Sequence, residues 1–104
     1  MAERQWKTWG KYQDQVYRCK HLAVRLGGGA LRDQIAKVVY EEYERVQDED
    51  LSEETLRKTL RLRVKRRIRN EHIGFVWWLP IVLWAAEVLI ELIIKIWIER
   101  RKPE

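Results

Sequence analysis

Residues 73–98 read IGFVWWLPIVLWAAEVLIELIIKIWI, and what this stretch packs against decides the fold. As a helix its 26 residues extend about 39 Å, and the hydrocarbon core of a bilayer is about 30 Å thick. Trp77 and Trp78 near one end and Trp97 near the other are spaced like the aromatic belts of a membrane span. Cations flank both ends, a long run over Arg57–Arg69 before it and Arg100-Arg101-Lys102 after it. Against a span stand Glu87, Glu91 and Lys95, which leave an uncharged run of only 14 residues, Ile73–Ala86. Their i, i+4, i+8 spacing puts all three on one helical face. Each charge at mid-membrane costs on the order of 3 kcal/mol, and each large aliphatic residue returns only about 0.3–0.6 kcal/mol. Belts and flanking cations tip this reading to a transmembrane helix over 72–99, with 100–104 as a short tail. Its charged face, Glu87/Glu91/Lys95, then packs against other membrane subunits. The competing placement is an amphipathic helix in the interface or in an oligomer core.

The chain before this stretch is helical throughout. Trp9, Tyr12, Val16, Cys19, Ala23 and Leu26 follow at three- and four-residue steps, giving an apolar face over about Arg4 to Leu26. Gly27-Gly28-Gly29 ends it. A second helix begins near Ala30, with Leu31, Ile35, Val38, Val39 and Val46 inward. After Gln47-Asp48-Glu49-Asp50, either Asp50 or Ser52 caps a third helix, whose Leu56, Leu60, Val64 and Ile68 recur every four residues. That helix meets the hydrophobic stretch with no long linker, and it can run on into it with a weak point at Gly74 and a kink near Pro80. Short connections predict an antiparallel three-helix bundle over 1–71, followed by one transmembrane helix. An N-terminus holding Glu3 and Asp14 without an apolar run predicts no secretory signal.

Charge is segregated. Nine Lys/Arg balance nine Asp/Glu before Leu51, and eight cations face three carboxylates between Leu51 and Glu71, so the net +5 arises in that short stretch. Those eight are Arg57, Lys58, Arg61, Arg63, Lys65, Arg66, Arg67 and Arg69. Three roles fit them. As a positive-inside signal against anionic lipid headgroups they hold the N-terminal domain on the cytoplasmic or matrix side. As guanidinium forks they grip an acidic protein. Nucleic acid ranks last, because no helix-turn-helix or finger accompanies them and the tryptophans fall in the presumed membrane segment.

Catalysis is not indicated. His21 and His72 have no Cys or second His at metal-ligand spacing. Ser52 lacks a histidine or a glycine elbow, and Gly27–Gly29 lacks the Lys-Ser/Thr of a phosphate loop. Cys19 is the one cysteine and sits on the inward stripe of the first helix, as a small core residue.

Gln15-Val16-Tyr17-Arg18 opens a basic amphipathic helix, and Tyr43-Glu44-Arg45 closes the next, before an acidic turn and a third helix. Over about residues 15–68 this pattern resembles the LYR-motif proteins of mitochondria. Val16 stands where that family has Leu, Tyr43 where it has Phe, and most members lack a membrane helix. The resemblance implies a non-catalytic accessory subunit of a respiratory complex at the mitochondrial inner membrane. It implies no cofactor of its own, but an acyl carrier protein partner whose acyl-phosphopantetheine arm meets Tyr17, Arg18 and Tyr43. Lys20, Arg25 and Arg45 would then contact the carrier's acidic surface. The alternative is a small viral or bacterial membrane protein that self-associates into a pore or scaffold.

Overall fold

The computed structural model describes residues 2–74 and 78–101, with side chains over 8–74 and 78–100. Among the described residues five helices follow in order: α1 Ala2–Arg18, α2 Lys20–Arg25, α3 Gly29–Val46, α4 Glu53–Asn70 and α5 Leu79–Arg101. The first two are one rod interrupted at Cys19, whose φ of −87° and ψ of 60° break the helical path for a single residue. Its thiol donates to the Gln15 carbonyl at 3.4 Å. Counting α1 and α2 as one segment, four rods alternate in direction. Lys11 pairs with Glu99, placing the middle of α1 beside the end of α5, and His21 and Arg25 of α2 meet Trp84 near the start of α5. The architecture is an up-down-up-down four-helix bundle.

Local chemistry explains the boundaries. At the end of α2, the Gly28 N–H donates to the Ala23 carbonyl and the Gly27 N–H to that of Val24. This 6→1, 5→2 pair requires a left-handed residue, supplied by Gly27 at φ 80°. The Ser52 hydroxyl accepts from the Thr55 N–H at 3.2 Å and caps α4, with Glu53 and Glu54 in the favourable first turn. α4 does not run on into the hydrophobic stretch. Its end repeats the two-bond pattern, Ile73 N–H to the Ile68 carbonyl and His72 N–H to that of Arg69, with His72 in the left-handed position at φ 54°. Ile73 is buried, as is Ile68, so the apolar contact that accompanies such a cap is available. Gly74, at φ 69°, lets the chain turn back, and a Cβ there would lie 2.8 Å from a Val82 methyl. Pro80 falls in the first turn of α5, where its missing N–H costs nothing, rather than kinking a continuous rod.

The hydrophobic stretch is therefore the hub of the bundle, and the expected three-helix bundle with a transmembrane helix is corrected accordingly. Val82, Ala85, Ala86, Leu89, Ile90, Ile93, Ile94, Ile96 and Trp97 are buried. Two buried positions in nearly every turn make a stripe wide enough to serve α1, α3 and α4 together. Among the described residues no helix is long and apolar enough to cross a membrane. That overturns the single-pass placement, and with it the inner-membrane location and the inside-facing N-terminal domain. A span needs about 20 consecutive apolar residues, and the charges of α5 interrupt its run well before that. Trp97 packs into the core instead of marking an interface; Trp77 and Lys102 lie outside the described residues.

The charged stripe meets its complement. Arg57 holds Glu91 with two parallel bonds of 2.7 and 3.0 Å, and Glu87 receives Lys65 at 3.1 Å and Arg61 at 3.8 Å. Positions 57, 61 and 65 of α4 thus match 91 and 87 of α5 in antiparallel register. The other edge of α4 faces α3, where Arg67 reaches Glu41 at 2.9 Å and Glu42 at 3.3 Å, and Arg63 lies 3.7 Å from Glu42.

An aromatic cluster closes the end of the bundle where α1 starts. Trp9, Tyr12, Tyr40 and Tyr43 lie within 4.5–6.2 Å of one another in successive pairs. The Tyr12 hydroxyl is buried without a hydrogen-bond partner among the described residues. A hydroxyl stripped of water and left unpaired is destabilising, so Tyr12→Phe is expected to raise stability by about 1 kcal/mol in a thermal melt. Burial pushes the Tyr12 hydroxyl well above its usual range, and burial with nearby Glu44 does the same to Tyr40. Both folded-state values exceed the unfolded one, so stability is unaffected by these groups below about pH 10 and falls as pH rises beyond it. Alkaline titration should unfold the wild type earlier, relative to its neutral stability, than Tyr12→Phe.

Candidate functional site

Two surfaces carry side chains that the core does not use. One is an apolar hollow of about 190 Å³ between α1 and α3, lined by Trp9, Gln13, Val16 and Tyr17 on one side and Asp33, Ala36 and Lys37 on the other. Tyr17 is 53% exposed and its ring lies 5.1 Å from the Arg32 guanidinium. The bulk of Arg32 is buried, and its Nε is anchored to Asp33 at 3.2 Å, which fixes the cation under the ring. Antiparallel packing of α1 on α3 creates the hollow, because Ala36 is too small to fill the space between Trp9 and Tyr17.

The second surface is the end of the bundle formed by α2, the last turn of α4 and the first turns of α5. Lys20, His21, Val24 and Arg25 project from the exposed side of α2, with Val24 80% exposed. Trp84 is 36% exposed, with the Arg25 guanidinium 5.0 Å over its ring and His21 edge-on at 6.1 Å. Trp78, just before α5, is 71% exposed. Arg66 and Arg69 point outward from α4. The carboxylates at this end are engaged: Asp33 by Arg32, and Glu71 by Arg67 at 2.8 Å. Hydrogen bonding from Arg67 holds the Glu71 carboxyl below the usual carboxylate range. The opposite end carries Asp48, Glu49, Asp50, Glu53 and Glu54. It also has a hollow of about 250 Å³ bounded by Tyr43, Gln47, Trp97 and Arg100.

The residues singled out in the sequence are distributed between these regions. Tyr17 borders the α1–α3 hollow, and Arg18 beside it pairs with Asp14 at 3.2 Å. Tyr43 is buried at the other end of α3, its hydroxyl accepting from Arg100 at 3.3 Å. The eleven helical steps from Arg32, beside Tyr17, to Tyr43 span about 16 Å, so the motif pair and Tyr43 do not share a site. Lys20 and Arg25 lie on α2, whereas Arg45 sits on α3 against Glu42 at 3.3 Å. Glu87 and Glu91 are engaged by α4, and Lys95 is exposed. Of the eight cations assigned to a membrane surface, Arg57, Arg61, Arg63, Lys65 and Arg67 pair with carboxylates of neighbouring helices, and Lys58 pairs with Glu54 at 3.3 Å on its own. The sequence reading did not single out Asp33, Ala36 and Lys37, which line the hollow, or Val24 and Trp84. The spacing of Asp33 and Lys37, one helical turn apart on the solvent side of α3, was an available signal; the exposure of Trp84 depends on packing that sequence does not display.

Comparison with family models, with curated proteins and with solved structures finds no match.

Proposed function

We propose that this chain is a non-catalytic accessory bundle that binds an acidic protein partner, in the manner implied by its resemblance to LYR-motif proteins. The observation that carries the reading is the α1–α3 hollow with Tyr17 at its edge. Its walls, Trp9, Val16 and Ala36, suit an aliphatic group, and Lys37 offers a cation at the rim. In this reading the carrier's acyl arm lies along the hollow. The bundle interior is filled by α5, so the arm does not pass between the helices. The phosphate of the arm pairs with Lys37, and Arg18 meets carboxylates of the carrier.

Co-expression with an acyl carrier protein tests this. The carrier is expected to co-purify with the wild type. Lys37→Glu combined with Arg18→Glu should weaken its retention at least about tenfold, since like charges then face each other. Lys58→Glu, in an exposed pair near the opposite end, serves as the control and should retain the carrier. A wild type that purifies without carrier, or a carrier lost only in the Lys58 variant, rejects the proposal.

A further inference from the structure

The α2–α5 end is built differently from the hollow and from the rest of the surface. Cations gather there, the nearby carboxylates Asp33 and Glu71 are already paired, and Trp78 is largely and Trp84 partly exposed. We propose that this end binds single-stranded nucleic acid, with Trp78 and Trp84 stacking bases and Lys20, Arg25, Arg66 and Arg69 meeting phosphates. The proposal goes beyond the accessory-bundle reading and uses a separate surface, so either can fail alone.

Three observations favour this ligand. First, the charge is one-sided: Lys20, Arg25, Arg66 and Arg69 lie at this end, while Asp48, Glu49 and Asp50 occupy the other, where Glu53 and Glu54 pair with Arg57 and Lys58. A polyanion is thus attracted to one pole and repelled from the other. Second, Trp78 is 71% exposed, and a base has a flat face to lay on an accessible indole. Third, Arg25 lies 5.0 Å over the Trp84 ring, so a guanidinium and an indole already form a layered pair that a base can extend. A carboxylate-rich polypeptide would neutralise the cations but would leave the tryptophan faces without a flat partner. In a duplex the bases are stacked on one another and their faces are closed to a side chain. Two grounds ranked nucleic acid last, the lack of a helix-turn-helix or finger and the assignment of the tryptophans to a membrane span; the position of Trp84 beside α2 removes the second.

The test uses the full chain and a fluorescein-labelled oligothymidylate of about 16 nucleotides, followed by anisotropy. Saturable binding is expected at low salt, weakening steeply as salt is added. Trp78→Ala should weaken binding about tenfold, and Trp78→Phe should recover most of that loss, because stacking needs an aromatic face. Arg66→Ala with Arg69→Ala should flatten the slope of log K against log salt by about 1.4, at about 0.7 per phosphate contact on a single strand. Circular dichroism of each variant establishes that the bundle is intact. Absence of binding at low salt overturns the proposal. So does binding that responds to salt but is equal in wild type and Trp78→Ala, which would be charge attraction without a built surface. Tighter Trp78-dependent binding to poly-glutamate or to anionic vesicles than to the oligonucleotide also overturns it, and assigns the end to an acidic protein or a headgroup surface.

Discussion

A chain ending at Gly74 is expected to lose cooperative unfolding altogether. Removing α5 exposes the inner faces of α1, α3 and α4 that it now covers, and it removes Val82, Leu89, Ile90, Ile93 and Ile94, each essentially inaccessible to solvent. Burial of one such side chain stabilises by about 1.5–3 kcal/mol, so these five alone account for on the order of 10 kcal/mol. A domain's whole stability is about 5–15 kcal/mol. The fragment should show a broad, shallow thermal transition by circular dichroism and should aggregate or bind hydrophobic dyes. The tethered three-helix arrangement expected from sequence makes the opposite forecast, because its first 71 residues would fold alone. A sharp, reversible melt of the fragment would therefore refute the hub role of α5.

Glu42 should be the most costly single carboxylate to remove. It is 2% exposed and receives Arg45 and Arg67 at 3.3 Å and Arg63 at 3.7 Å, tying α3 to α4. Replacement by Ala leaves guanidinium groups facing a dry helix surface, and breaking a buried pair from one side costs about 3–5 kcal/mol. Arg45 and Arg63 are partly exposed and Arg67 keeps Glu41 and Glu71, so the lower end, about 3 kcal/mol, is expected. Urea unfolding measures it as a lower midpoint at unchanged m-value. Glu91→Ala is the instructive comparison, because Glu91 is half exposed although it binds Arg57 with two bonds. Its loss should cost about 1 kcal/mol or less. Equal effects of the two substitutions would contradict the difference in burial that separates them.

Much of the local structure was legible. The four-residue recurrence of Leu56, Leu60, Val64 and Ile68 marked the inner face of α4, Ser52 was one of its two candidate caps, and Gly27–Gly29 marked the end of the first helical rod. These depend on neighbouring residues alone. The break at Cys19 was not legible, since neither glycine nor proline stands there and the interruption serves the docking of α2 on α3 and α5. The larger misreading was α5. Average hydropathy cannot separate a helix surrounded by lipid from one surrounded by other helices, because both need apolar residues on nearly every side. The discriminating signal lay in two stretches read together: carboxylates at 87 and 91 complement cations at 57, 61 and 65 when the helices run antiparallel. The same pairing shows why the basic run gave a poor guide to function. Most of its charge is spent inside the bundle, and the surface that remains is defined by which cations lack an internal carboxylate.

The place of the hub in chain order sets the timing of folding during synthesis. α1 to α4 are synthesised before α5 is complete, and until then their inner faces have only one another to cover them. At roughly 5–20 residues per second, the 23 residues of α5 take about 1–5 s to make. α3 and α4 can form a hairpin in that interval, held by Arg67 and Glu42. Contacts such as Lys11 with Glu99 join positions 88 apart and must wait for the last turns of α5. The nascent chain thus passes through seconds in which Tyr12, Ile35, Leu60 and Ile68 lack their final neighbours. A delay or pause within the codons for α5 prolongs that exposure, and holding chaperones would act on this protein at that moment.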